Sequence, residues 1–172
     1  SAPLVVAGAV LAVADLSGEN YYHWLLELLP RLGMALEPAI GLEGSDSLRI
    51  WHNGGRSRFV AEGLHEILGL PPDRLIDAHD HPHLQAARLI VPDFVGLFGW
   101  PSRRAQAWLR RRILPADGSS NRPLRRSGAD ASILWLRRNS PGRRPVLGEE
   151  ETLERLRHLP LQAIDPGVLS LR

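Results

Sequence analysis

The sequence predicts an α/β protein: one domain of ordinary size, followed by the start of a second. Three observations carry this. Short runs rich in Val, Ile, Leu and Trp alternate with longer segments whose apolar residues recur at helical spacing. The stretch "PADGSSNRPLRRSGAD", Pro115 to Asp130, interrupts the alternation with Pro, Gly, Ser and Asn and no apolar period. After it the order strand, basic loop, helix, strand begins again, as in a βαβ unit. The bounds read 1–115 for the first domain, 116–130 for a linker and 131–172 for the second. With only two strands in 131–172, the second domain is expected to be incomplete.

Each element has its own signal. "SAPLVVAGAVLAVAD" is apolar from Ala2 to Ala14 apart from Gly8. It is too short to span a bilayer and has no positive leader, so neither a membrane span nor a signal peptide is expected. It reads as two short strands joined near Gly8. Ser17-Gly18 is a turn, and Asn20 is the N-cap of a long helix. Pro30 removes a backbone donor and crowds the carbonyl of Leu26, so this helix should kink or end there. "SLRIW" (Ser47 to Trp51) is a strand. "GGRSRFVAEGLHEILGL" is a glycine-rich loop and a helix with Phe59, Val60, Leu64, Ile67 and Leu68 on one face. "PPDRLID" leads into a short strand, and "AARLIVP" (Ala86 to Pro92) is another. "PSRRAQAWLRRRIL" reads as a basic helix with proline in its first turn. Beyond the linker, "SILWL" and "LQAID" are strands. Between them lie a basic loop and the helix "GEEETLERLRHL", whose first-turn acids suit the dipole.

Composition excludes some chemistry. There is no cysteine, so thiol nucleophiles, disulfides and thiolate metal sites are ruled out. All 21 basic residues are arginine, which excludes lysine chemistry. A GC-rich coding bias and a need for bidentate phosphate contacts both account for it. Net charge is only +2, but Arg103 to Arg144 is densely basic, with Asp117 and Asp130 as its acids. Such a face suits a polyanion or a phosphorylated ligand.

The stretch "NYYHWLLELLPRL", Asn20 to Leu32, is apolar almost all round, which marks a buried helix. His23, Glu27 and Arg31 nevertheless share a wedge of about 80° at helical spacing. Buried charge is costly unless paired, so the stripe must meet partners or line a cleft. One reading is an internal hydrogen-bonded network that only fixes packing. The other is a general base able to take a proton from a hydroxyl.

At these residues the chain resembles glycosyltransferase family 61, which includes capsular-polysaccharide-type bacterial enzymes. "GENYYHWLLELLPRL" looks like its signature. The resemblance continues through "RFVAEGLHEILGLPPDRLI", "LIVPDFVGLFGWP" and "ILWLRRNSPGRRPVLGEEETLERL" to "IDPGVLSLR". It implies a GT-B enzyme: a Rossmann-like N-terminal domain on the acceptor side and the first βαβ part of a Rossmann-like donor domain. The implied reaction is inverting transfer of a hexose or pentose from a nucleotide-sugar to a hydroxyl of a glycan or lipid-linked saccharide. Neither a metal nor a further cofactor is implied. Glu27 and His23 would be catalytic, with the base assignment open between them. Asn20, Tyr22, Arg31, Arg56 and Arg58 would contact the acceptor. Arg137, Arg138 and Arg143, in "LRRNSPGRR", would approach the donor's phosphates. The family's glycine- and histidine-containing donor loop is expected to follow "DPGVLSLR", so this chain alone is expected to hold only part of the donor site. A cytoplasmic location is expected, with peripheral contact to the inner membrane.

Other segments read more plainly. "DAHDHPH" (Asp77 to His83) carries metal-ligand types, but its spacing and Pro82 suit a polar loop better. "WHNGGRSR" (Trp51 to Arg58) suits a strand-to-helix turn or an anion contact, without a dinucleotide fingerprint. Arg103 to Arg112 reads as a solvated helix face, with anionic lipid as the next candidate and no nucleic-acid motif. Two rivals stay open: a non-catalytic glycan- or nucleotide-binding module, and a basic nucleic-acid-binding α/β domain.

Overall fold

The computed structural model describes residues 2–38, 48–97, 99–114, 133–137, 146–165 and 171. The chain divides into two compact units, 1–116 with 171–172, and 117–170. The expected linker lies outside the described residues.

The first unit is mixed α/β around a parallel four-stranded sheet, compatible with a Rossmann-like fold. Its strands are β1 (Leu4–Val13), β2 (Arg49–His52), β3 (Leu75–Asp77) and β4 (Leu84–Ile90), in the order β3-β2-β1-β4. All three pairings are parallel. The expected break at Gly8 is not a turn. β1 is one strand whose register against β4 shifts between Val6 and Ala9, so that Ala7 and Gly8 together oppose one residue. Glycine without a side chain to pack marks a bulge as readily as a corner.

Helix α1 covers 21–35, in three segments: Tyr21–His23, Trp24–Leu28 and Leu29–Ala35. The Asn20 side chain accepts from the Tyr22 amide at 2.9 Å, as an N-cap should. The expected end at Pro30 does not occur. The hydrogen-bond register widens to a π turn over Trp24–Leu28, where the Leu29 amide reaches back to the Trp24 carbonyl. Pro30 then falls in the first turn of the last segment, where its missing amide costs little. Trp24, Leu28, Leu29 and Leu32 face the core, with Leu11, Val13, Ile50, Val60 and Leu64 opposite.

Helix α2 covers 58–67 (Arg58–Ala61 and Glu62–Ile67). The Glu62 carboxylate accepts from the amide of Leu171, which is buried in this unit's core. A two-stranded ribbon, β5 (Gly96–Leu97) and β6 (Trp100–Pro101), precedes helix α3 (Arg103–Ile113). Pro101 is therefore in the ribbon rather than the first turn. Ser102 is the cap, its hydroxyl accepting from the Ala105 amide at 3.2 Å. α3 buries Ala105, Trp108 and Leu109. It meets α1 where Gly33 leaves room: a Cβ there would lie 2.0 Å from the Trp108 ring.

The second unit shows the expected βαβ order. β7 (Ile133–Leu136) and β8 (Leu161–Ile164) pair in parallel, with α4 (Glu149–Arg155) between them in sequence. Glu149, Glu150 and Glu151 occupy the first turn of α4.

Candidate active site

The carboxyl ends of parallel strands are where open α/β sheets gather ligands. Here the end of β1 passes through Ala14 and Asp15 into α1. Asn53, just after β2, straps Asp15: its amide nitrogen donates to the Asp15 carbonyl at 2.6 Å, and its carbonyl accepts from the Asp15 amide at 3.1 Å. Gly18 keeps this contact close, since a Cβ there would lie 2.3 Å from Asn53 Oδ1.

The polar stripe of α1 splits into two parts. At its N-terminal end, His23 Nδ1 faces Glu27 Oε2 at 3.0 Å. The other Glu27 oxygen, Oε1, accepts from the Gly99 amide at 2.6 Å. Tyr22 donates its hydroxyl to the Gly99 carbonyl at 2.8 Å, so both backbone groups of Gly99 are held by α1. His23 keeps 17% of its side chain exposed and Glu27 only 7%. Trp24 and Leu28 lie in the core, as the apolar period requires. The π turn that accommodates Pro30 contains Glu27 itself, and such turns recur at functional sites.

Arg31, at the other end of the stripe, ties the fold together. Its Nε donates to the Pro92 carbonyl at 2.7 Å, Nη2 donates to the same oxygen, and Nη1 donates to the Ala14 carbonyl at 3.2 Å. It thus bridges the ends of β1 and β4. Its guanidinium lies 4.5 Å from the centre of the Phe94 ring. Burial pushes its pKa down, opposed by Asp15 and Asp93. Arg31 also borders a cavity of about 540 Å³ with Met34, Ile90, Phe94 and Arg104.

A second, smaller cavity of about 240 Å³ lies at the ends of β2 and β3. Glu19, Gly55, Arg56, Ser57, Asp77 and His79 line it. Arg56 meets Asp80 at 2.6 Å. Arg58 is not in this lining and pairs with Glu62 at 2.6 Å along its own helix. His79 sits between Asp77, 2.7 Å from Nδ1, and Glu19 at Nε2. The bond to Asp77 raises the His79 pKa, against weaker desolvation. Desolvation pushes the Asp77 carboxyl up, but bonds from the His79 amide and ring and the charges of His52 and His79 outweigh it, leaving the pKa lowered.

Asp15, His23 and Glu27 offer ligand atoms all within 4.8 Å of one another, a grouping that could hold a metal ion. Among the described residues, this metal-capable group includes no member of the histidine-rich loop 77–83. Sequence reasoning missed Asp15, Asn53 and Gly99. The signal for Asp15 was its place as the first charged residue after the apolar run. Asn53 and Gly99 lie 38 and 72 residues from their partners and gave none.

No family model, curated protein or solved structure matches the chain.

In the second unit, Arg137 pairs with Glu149 at 3.2 Å and also with Glu150. Arg138 and Arg143 lie outside the described residues.

His52, at the end of β2, yields a pH prediction. It is buried, with its ring 6.1 Å from Trp24 and Nδ1 accepting from the Gly54 amide at 3.3 Å. Burial lowers its pKa; Asp77 opposes this, and His79 and His65 reinforce it. The unfolded chain protonates this imidazole near pH ~6.5, the folded one only at lower pH. Its contribution is therefore complete above ~6.5 and lost as pH falls through the folded value. The raised His79 pKa works the other way on acidification, so the His52 contribution is read as the difference between wild type and His52→Gln in urea midpoints at about pH 7.5 and about pH 5.5, either side of ~6.5. The His52→Gln variant should lose less. Equal losses in both proteins would contradict the assignment.

Proposed function

We propose that the chain carries the acceptor-side part of an inverting glycosyltransferase, with His23 as general base and Glu27 as the group that orients it. The observation that carries this is the occupancy of Glu27. One of its oxygens is taken by the Gly99 amide and the other by His23, while His23 is the more exposed of the two. A carboxylate facing Nδ1 favours the proton there and leaves Nε2 as the basic nitrogen. In the proposed step Nε2 takes the proton of an acceptor hydroxyl. The hydroxyl oxygen bonds to the anomeric carbon of a nucleotide-sugar, and the bond to the diphosphate breaks with its electron pair leaving on the diphosphate. Inversion follows from attack opposite the leaving group. Arg137 would exchange its carboxylate partners for the diphosphate and, with Arg138 and Arg143, offset its charge. The acceptor would be a glycan or lipid-linked saccharide. The site's place at the carboxyl end of a parallel sheet supports a ligand-binding role.

A second reading uses the same atoms. Asp15, His23 and Glu27 form a nitrogen-and-carboxylate set of the kind that takes zinc or manganese. One experiment separates the two. The natural polypeptide carrying this sequence is treated with chelator and given a panel of nucleotide-sugars with saccharide acceptors. Acceptor-dependent release of nucleoside diphosphate without metal supports the base reading. Release that returns only with added zinc or manganese supports the second. No release under either condition would contradict both.

A further inference from the structure

The geometry points to a bilayer-docking face on the first unit, formed by the β5–β6 ribbon and the first turn of α3, whose partner is an anionic lipid surface. This stands independently of the transfer reaction. Leu97 and Trp100 are direct partners across the ribbon, and cross-strand partners share a face. They are 78% and 77% exposed. Close by in sequence, Phe94 is also exposed, as are Leu89 and Val91 at the end of the edge strand β4. An exposed apolar pair of this kind marks an interaction site, and tryptophan favours the boundary between water and hydrocarbon.

The arginines supply the partner's charge. In α3, Arg110, Arg111 and Arg112 sit in the last turn, where cations suit the helix dipole and need no further explanation. Arg103 and Arg104 sit in the first turn, where the dipole opposes them, and no acid shares that turn. Both are exposed, and neither pairs with a carboxylate among the described residues. They follow Trp100 by three and four residues. An unfavourable pair of cations beside an exposed apolar pair fits a negatively charged interface. The face is also held in place. Gly99, in the ribbon's turn, has its amide and carbonyl bonded to Glu27 and Tyr22, which lowers the ordering cost of docking. Among the described residues no helix is long and apolar enough to cross a membrane.

Vesicle co-sedimentation of the whole chain tests this. The protein should partition onto phosphatidylcholine vesicles doped with phosphatidylglycerol, and weakly onto phosphatidylcholine alone. Added inorganic phosphate, matched in ionic strength by chloride, should compete no better than chloride, which distinguishes a lipid surface from a free-phosphate site. The pair Arg103→Gln with Arg104→Gln should reduce partitioning roughly thirtyfold, from about fivefold per charge. The pair Leu97→Ser with Trp100→Ser should reduce it by about tenfold or more. Circular dichroism confirms folding of each variant, which these exposed positions should preserve. No partitioning of the wild type onto anionic vesicles would overturn the proposal, as would equal binding to neutral ones or binding unchanged in either pair. So would binding to an oligonucleotide without vesicle binding, or self-association lost in the Leu97/Trp100 pair without vesicle binding.

Discussion

Replacing Glu27 with glutamine should lower turnover by about 10²–10⁴-fold, nearly as much as His23→Ala, the usual worth of a general base. The reasoning turns on a tautomer. In Glu27→Gln the side-chain carbonyl would go on accepting from the Gly99 amide, as Glu27 Oε1 does at 2.6 Å. The new NH₂ group would then face His23 Nδ1, where a carboxylate oxygen now sits at 3.0 Å. Nδ1 would have to accept, the ring proton would move to Nε2, and the ring could no longer take a proton from the acceptor. Donor affinity should be unchanged in both variants. Arg137→Ala should do the reverse, weakening nucleotide binding through lost charge-assisted bonds. The assay is acceptor-dependent release of nucleoside diphosphate, with circular dichroism as the fold check. Near-normal turnover in a folded Glu27→Gln protein would contradict the assignment. An unfolded one would favour a packing network with no catalytic duty.

Trp24→Ala should destabilise the protein by about 3–5 kcal/mol, a large share of a typical domain's stability. Trp24 is 1% exposed, and its ring fills a slot between two glycines. A Cβ on Gly54 would lie 2.5 Å from its ring, and one on Gly63 would lie 3.0 Å from Nε1. No side chain on either glycine can lean in to fill the cavity. Trp24→Phe should cost much less. Among the described residues the Trp24 Nε1 is buried without a hydrogen-bond partner; both variants lose this orphan donor, so the difference between them is the ring volume that Phe retains. Urea unfolding of the three proteins checks the order. A Trp24→Ala cost below about 1 kcal/mol would show that the slot collapses freely.

The features legible in the sequence were those with a short period. The burial of Trp24 and Leu28, the three strands after α1 and the α3 helix follow from spacing within a few residues. Gly8 and Pro30 were legible as punctuation but not as outcome. A glycine in an apolar run signals a corner or a bulge alike, and β4 decides for the bulge by pairing along the whole of that stretch. A proline in a helix signals an end unless the preceding turn can widen, and here it does. The roles of the stripe depend on contacts far along the chain. Arg31 shares a wedge with Glu27, yet its partners are the carbonyls of Ala14 and Pro92, 17 and 61 residues away. Those carbonyls come together only once β1 and β4 are neighbours. Glu27 likewise looks like a free carboxylate until the ribbon brings Gly99 to it.

The central claim is that His23 is held as a base by Glu27, and the ring itself can report on it. Long-range ¹H–¹⁵N correlation spectra of the imidazoles, assigned by comparison with His23→Ala, distinguish the two neutral tautomers. With the ring neutral, the claim predicts that His23 carries its proton on Nδ1 and not on Nε2, reversing in Glu27→Gln. A wild-type spectrum with the proton on Nε2, unchanged by that substitution, would contradict it.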